Sequence, residues 1–97
     1  MPKGYWMGHV RVTDPAGYAR YREANAAAFG KYGGRFLVRG GAAEEVEGAL
    51  GRERHVIIEF PSYQAALDCW NSPEYAAAKA ERDGAGEAYL IVVEGVG

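Results

Sequence analysis

Apolar and polar residues alternate over residues 5–12. Trp6, Gly8, Val10 and Val12 form one set and Tyr5, Met7, His9 and Arg11 the other, the period-two pattern of a strand with two unlike faces. At Asp14-Pro15 the pattern changes: an N-cap residue followed by proline at the first helical position predicts a helix start. Tyr18, Tyr21, Asn25, Ala28 and Tyr32 then recur at three- and four-residue steps with Phe29 beside them, a buried stripe that ends at Gly33-Gly34. Residues 35–39 read as a second strand, with a bulge expected at Gly40-Gly41 and pairing continued through Glu44, Glu45, Val46 and Glu47. A hairpin turn over residues 48–53 leads to a third strand over 54–60, stopped by Pro61. Ser62 is read as the cap of a short helix reaching Asn71, and Ser72-Pro73 opens a further helical stretch to about Asp83. After the glycines of residues 84–86, residues 87–94 form a last strand around Leu90-Ile91-Val92-Val93.

The order is β-α-β-β-α-β, an α+β chain. Right-handed crossovers lay both helical segments on one face of a four-stranded antiparallel sheet, a ferredoxin-like βαββαβ sandwich. The set Trp6, Val10, Val12, Phe36, Val38, Val56, Ile58 and Phe60 is the more apolar and is expected to face the helices. The other set, Tyr5, Met7, His9, Arg11, Arg35, Leu37, Arg39, His55, Ile57 and Glu59, mixes apolar residues with charges. A solvated face rarely gathers Met, Leu, Ile and Tyr, and a dry core does not hold three arginines. A two-fold sheet-to-sheet contact fits both, so a homodimer is expected, with His9, His55 and Glu59 on the dimer face.

Length and composition narrow the classes. Ninety-seven residues make one domain, 1–97, and 48% hydrophobic with 25% charged residues is globular. A net charge of −2 argues against nucleic acid as a partner. Arginine outnumbers lysine eight to three, which hints at carboxylate pairing. A single cysteine, Cys69, forms no internal disulfide, and neither a leader pattern nor a membrane-length apolar run is read, so a cytoplasmic setting is expected with no membrane partner.

Several separated motifs carry a family resemblance: KYGGRFLVRGG at residues 31–41, the Glu47-Gly48 pair, VIIEFPSYQAAL at 56–67 and NSPEY at 71–75. Together they resemble the family known as domain of unknown function 1330 over nearly the whole chain. The resemblance implies membership of the dimeric α/β-barrel superfamily, in which two protomers close their sheets into a barrel with helices outside. That superfamily includes cofactor-free oxygenases of polyketide quinones, muconolactone isomerase-like enzymes and haem-dependent enzymes. It implies no reaction here, because the family is itself uncharacterised.

Among single residues Asn25 stands out, because an amide inside an apolar stripe must find hydrogen-bond partners. It is either a structural amide tied to backbone or a group that orients a ligand in a cleft between helix and sheet. Tyr18, Tyr21, Tyr32, Trp70 and Tyr75 either line such a cleft or fill the core. Arg82 is placed at the cleft mouth; Arg39 is placed against an acidic ligand or against Glu59 or Glu47. His9 and His55 fall on one sheet face near Glu59, a set able to move protons, although the spacing is no local metal motif. No metal site and no cofactor are assigned. Ser72 reads as a cap, Cys69 as a buried thiol, and the glycine pairs as no phosphate loop. The leading expectation is a homodimer that binds a small organic metabolite, with Asn25, Tyr21, Arg39, Trp70, Tyr75 and Arg82 as ligand contacts. Two rivals stand beside it: a cofactor-free oxygenase or isomerase of a conjugated or acidic metabolite, and an assembly module without ligand.

Overall fold

In a computed structural model, which describes residues 2–97, the elements run β1 (Gly4–Val12), α1 (Pro15–Tyr32), β2 (Arg35–Arg39), β3 (Arg54–Phe60), α2 (Tyr63–Trp70), α3 (Pro73–Glu81) and β4 (Gly86–Glu94). The strands form one antiparallel sheet in the order β2-β3-β1-β4. This is the expected α+β ferredoxin-like sandwich, with the second helical segment split in two.

Local chemistry accounts for the helix boundaries. Pro15 opens α1, but Asp14 at its N-cap makes no side-chain capping bond, contrary to the role read for it. Gly33, in the left-handed region at φ 75°, ends α1, and the Gly34 amide donates to the Phe29 carbonyl at 2.8 Å. Ser62 Oγ accepts from the Ala65 amide at 3.0 Å to start α2. Ser72 separates α2 from α3, accepting from the Tyr75 amide at 3.0 Å and donating to the Cys69 carbonyl at 2.7 Å.

The core lies between the helices and one face of the sheet. Trp6 is its centre: fully buried, it packs edge-on against Tyr75 (4.8 Å between ring centroids) and Phe29 (5.1 Å). Its indole N–H donates to the Ala66 carbonyl at 2.8 Å, so the ring ties α2 to β1. Cys69 is buried, its thiol donating to the Ala28 carbonyl at 3.7 Å; burial, with Glu74 nearby, pushes the thiol up to about 12. It is the buried thiol expected.

Two expectations about β2 fail together. The irregularity lies between Phe36 and Val38, not at Gly40-Gly41, and no strand continues through Glu44–Glu47. Gly40, at φ 71°, turns the chain out of the ladder, and residues 41–53 form an extended loop with no tight hairpin turn. Polar bonds fasten it: Arg11 donates to the Gly51 carbonyl at 2.8 and 3.0 Å, and Glu53 accepts from the Val12 amide at 2.8 Å.

The bulge re-aims the end of β2, because one extra residue inverts the alternation. Phe36 still pairs with Ile58, but Val38 pairs with Ile57 and Arg39 with Val56. Val38 therefore lies on the open face rather than among the helix-facing residues. Arg39 moves the other way, to the helix side.

Candidate functional site

A cleft runs between α1 and the β2–β3 side of the sheet. Its floor is Trp6, Phe29, Phe36, Val56, Ile58 and Leu90; its rim is Tyr18, Tyr21, Arg22, Asn25, Arg39 and Arg54. The floor comes from the alternate positions that face the helices, and the α1 residues from one stripe three or four residues apart. With its open mouth the cleft measures about 300 Å³, while the part open to the centre of a water is about 20 Å³. That inner space suits one water. Outside, the cleft continues onto a shallow shelf lined by Ala19, Arg22, Glu23 and Arg39.

Asn25 is 3% exposed and its Oδ1 has no hydrogen-bond partner among the described residues. The structural role considered for it was an amide tied to backbone, and its oxygen makes no such tie among the described residues. Tyr21 stands one turn away, its hydroxyl 2.8 Å from that of Tyr75. Burial holds the Tyr21 phenol far above its ordinary range, with Tyr75 adding to the effect, so it stays protonated at neutral pH. Arg54 donates from Nε to the Tyr18 hydroxyl at 3.3 Å and lies 5.3 Å from that ring; Arg39 lies 4.2 Å over Phe36.

Of the six expected ligand contacts, the structure brings Asn25, Tyr21 and Arg39 to the cleft. Trp70, Tyr75 and Arg82 do not line it. Tyr75 is a core residue between Trp6 and Tyr21, Trp70 packs on Tyr75 at 5.3 Å, and Arg82 donates to the Tyr75 hydroxyl at 3.4 Å. The reason is that Tyr75 on α3 lies behind Tyr21, and Trp70 at the end of α2 and Arg82 just past α3 pack against Tyr75 rather than reach the cleft. Arg22 and Arg54 were missed. Nothing distinguished Arg22 from a solvated helix position, and Arg54 stood at a strand start; only tertiary packing gathers them around Asn25.

The histidines meet on the opposite sheet face. His9 and His55 are directly paired across β1 and β3, Nδ1 to Nδ1 2.9 Å apart. Desolvation, His55 and Arg52 hold the His9 imidazole below its usual value. Glu59 does not join them: it accepts from Arg35 at 3.0 Å and from the Tyr5 hydroxyl at 3.1 Å. Arg39 pairs with neither Glu59 nor Glu47, since the bulge carries it to the other side. Among the described residues no group of three or more His, Cys, Asp or Glu side chains is placed to hold a metal.

The sequence matches the model of the family described as Domain of unknown function (DUF1330) over residues 3–96. The chain belongs to this family. Similar solved structures support the fold. A protein of unknown function from Rhodopseudomonas palustris is 21% identical, with a TM-score of 0.75 over 99% of this chain and 84% of that one. SnoaB, a cofactor-independent oxygenase from Streptomyces nogalater, is 10% identical with a TM-score of 0.64 over 100% of this chain and 96% of that one. A dimeric ferredoxin-like protein of unknown function from Jannaschia sp. CCS1 is 14% identical with a TM-score of 0.63, covering 95% of this chain and 98% of its own. No curated protein matches the sequence significantly. At these identities the likeness is one of fold.

Proposed function

We propose that this DUF1330 chain works as a homodimer that binds a small organic metabolite in the cleft between α1 and the sheet. The observation that carries the reading is Asn25 Oδ1: a buried acceptor without a partner, set among aromatic rings in a solvent-connected cleft. An amide left so is unfavourable unless water or a ligand completes it. The homodimer reading draws on the open sheet face, where Leu37, Val38, Tyr89, Ile91 and Val93 are all exposed, and on neighbours of this fold described as dimeric. The buried, unpaired Cys69 fits a cytoplasmic, reducing setting.

A cofactor-free oxygenase or isomerase would use the same cleft, with Asn25 and the rim arginines stabilising an oxyanion. The likeness to SnoaB favours keeping this reading second. Binding stands ahead of it because the described rim and floor include no His, Asp, Glu, Lys or Cys to move a proton, and Tyr21 is held protonated.

Thermal-shift screening against phenolic and keto-acid metabolites tests the reading. A ligand at a hundred times its dissociation constant adds about 2.7 kcal/mol, roughly 10–20 °C in Tm for a domain of this size. The expected result is a hit whose shift vanishes in Asn25→Ala. A hit unaffected by Asn25→Ala would mean binding outside this cleft, and no hit from either class would leave the assembly module as the better account.

A further inference from the structure

The charges around the cleft specify the ligand further. Arg22, Arg39 and Arg54 all line it, and no carboxylate lies within 4.0 Å of any of their guanidinium groups among the described residues. Arg20 and Arg35, elsewhere on the surface, do have acidic partners, Glu81 and Glu59. The sole acid of the cleft and its shelf is Glu23, out on the shelf, so three positive charges stand against one negative. Gathering cations in a chain whose net charge is −2 is unfavourable unless an anion arrives between them.

The arginines are also oriented. The Arg39 guanidinium carbon lies 4.2 Å from the Phe36 ring centroid and that of Arg54 5.3 Å from the Tyr18 centroid, with Arg54 Nε donating to the Tyr18 hydroxyl. No acceptor among the described residues takes the Arg39 guanidinium donors or the terminal NH2 groups of Arg54, which leaves these for a planar, two-oxygen acceptor. Gly40 makes room for this: a Cβ there would collide with the Arg54 guanidinium. In the same lining Asn25 Oδ1, an acceptor, calls for an O–H or N–H donor. The floor is aromatic and aliphatic.

We infer that the cleft takes an aromatic or conjugated carboxylic acid, its carboxylate held by Arg39 and Arg54 with Arg22 beside them, and its hydroxyl or N–H donor meeting Asn25. This rests on the reading that the cleft binds a small molecule. Because the inner space holds only one water, the ligand displaces that water and lies partly on the shelf, where Arg22 and Arg39 continue.

Matched probes test it: 4-hydroxybenzoate, 4-hydroxycinnamate and 3-hydroxy-2-naphthoate, with the methyl ester of each, titrated by calorimetry and by amide chemical shifts, and inorganic phosphate alone. At least one acid is expected to bind at least tenfold more tightly than its ester, and more weakly as salt rises. Arg39→Gln and Arg54→Gln should each weaken the acid about tenfold while leaving the ester unchanged, which also reports an intact cleft. Methylating the probe's phenol should weaken binding to the native chain, as removing the Asn25 acceptor does from the other side. Esters that bind as well as acids, with shifts at Asn25, would overturn the inference and leave cleft binding standing. Phosphate binding as tightly as the acids would reduce the site to a bare anion site and overturn it too. If neither series gives a signal sensitive to Arg39 or Asn25, both readings fall.

Discussion

Asn25 carries more of the functional reading than any other side chain, and its energetics can be separated from its role. A buried amide with an unpartnered oxygen forfeits the hydration it would have in the unfolded chain. Leucine has nearly the same shape without that penalty. Asn25→Leu is therefore expected to stabilise the free protein, by about 1–3 kcal/mol in urea unfolding, while abolishing ligand-induced shifts. A loss of stability instead would mean that the amide is satisfied in solution, and Asn25 would revert to a structural residue. Tyr21 behaves differently. Its hydroxyl is tied to Tyr75, so Tyr21→Phe should cost about 1 kcal/mol in the same measurement. Asn25 was legible because a lone amide interrupts an apolar stripe. Arg22 and Arg54 were not, because an arginine at a helix surface or a strand start reads as a solvated charge until the third dimension brings several together.

At the scale of elements, most boundaries were written in the chain by residues with a single physical use: Pro15, Gly33, Ser62 and Ser72 all stand where elements begin or end. The β2 bulge was not. The run Arg35–Arg39 has no glycine to mark an extra residue, and its alternation reads equally well in either register, so the bulge was placed at Gly40-Gly41. Its effect is nonetheless the feature that builds the cleft, since it exchanges Val38 for Arg39 on the helix side. Gly40 then holds a left-handed backbone and yields space to Arg54. Gly40→Ala should lower stability by about 1–2 kcal/mol and displace the Arg54 guanidinium, visible as a changed Arg54 Nε resonance. Unchanged stability and an unmoved Arg54 would mean that the loop relaxes around the substitution. The break between α2 and α3 shows the same division between local and tertiary information. Ser72 announces it, but that it leaves Trp70, Tyr75 and Arg82 behind the cleft depends on how α3 packs against α1.

For the whole molecule, one sheet face is covered by helices and the other bears exposed apolar residues around a histidine pair. In the proposed homodimer that pair lies at the contact, where its protonation state matters most. With Nδ1 atoms 2.9 Å apart, one imidazole donates and the other accepts, so a single proton serves both. A proton on both Nδ1 atoms would turn two donors towards each other and break this hydrogen bond. Around His9 the facing groups are His55 on β3, Arg52 just before it and the Tyr89 ring on β4, and of these only Arg52 carries a fixed charge, also positive. Desolvation first, then His55 and Arg52, depress the His9 pKa below the 6.5 of an unfolded chain. The unfolded chain then binds more protons in that window, and covering the pair in the proposed contact would desolvate it further with the same sign, so the stability of fold and contact is present above pH 6.5 and lost as pH falls through the lower folded value. Light scattering at fixed concentration should therefore show dimer at pH 8 and a falling mass as pH drops below 6.5. Glu53 and Glu74, held below the ordinary 4.5 by hydrogen bonds, titrate only under more acid conditions and leave this window clear. His9→Asn should flatten the transition. A mass that stays constant from pH 8 to 5 in the native chain would remove the histidines from any such contact, and a monomer at pH 8 would remove the contact itself.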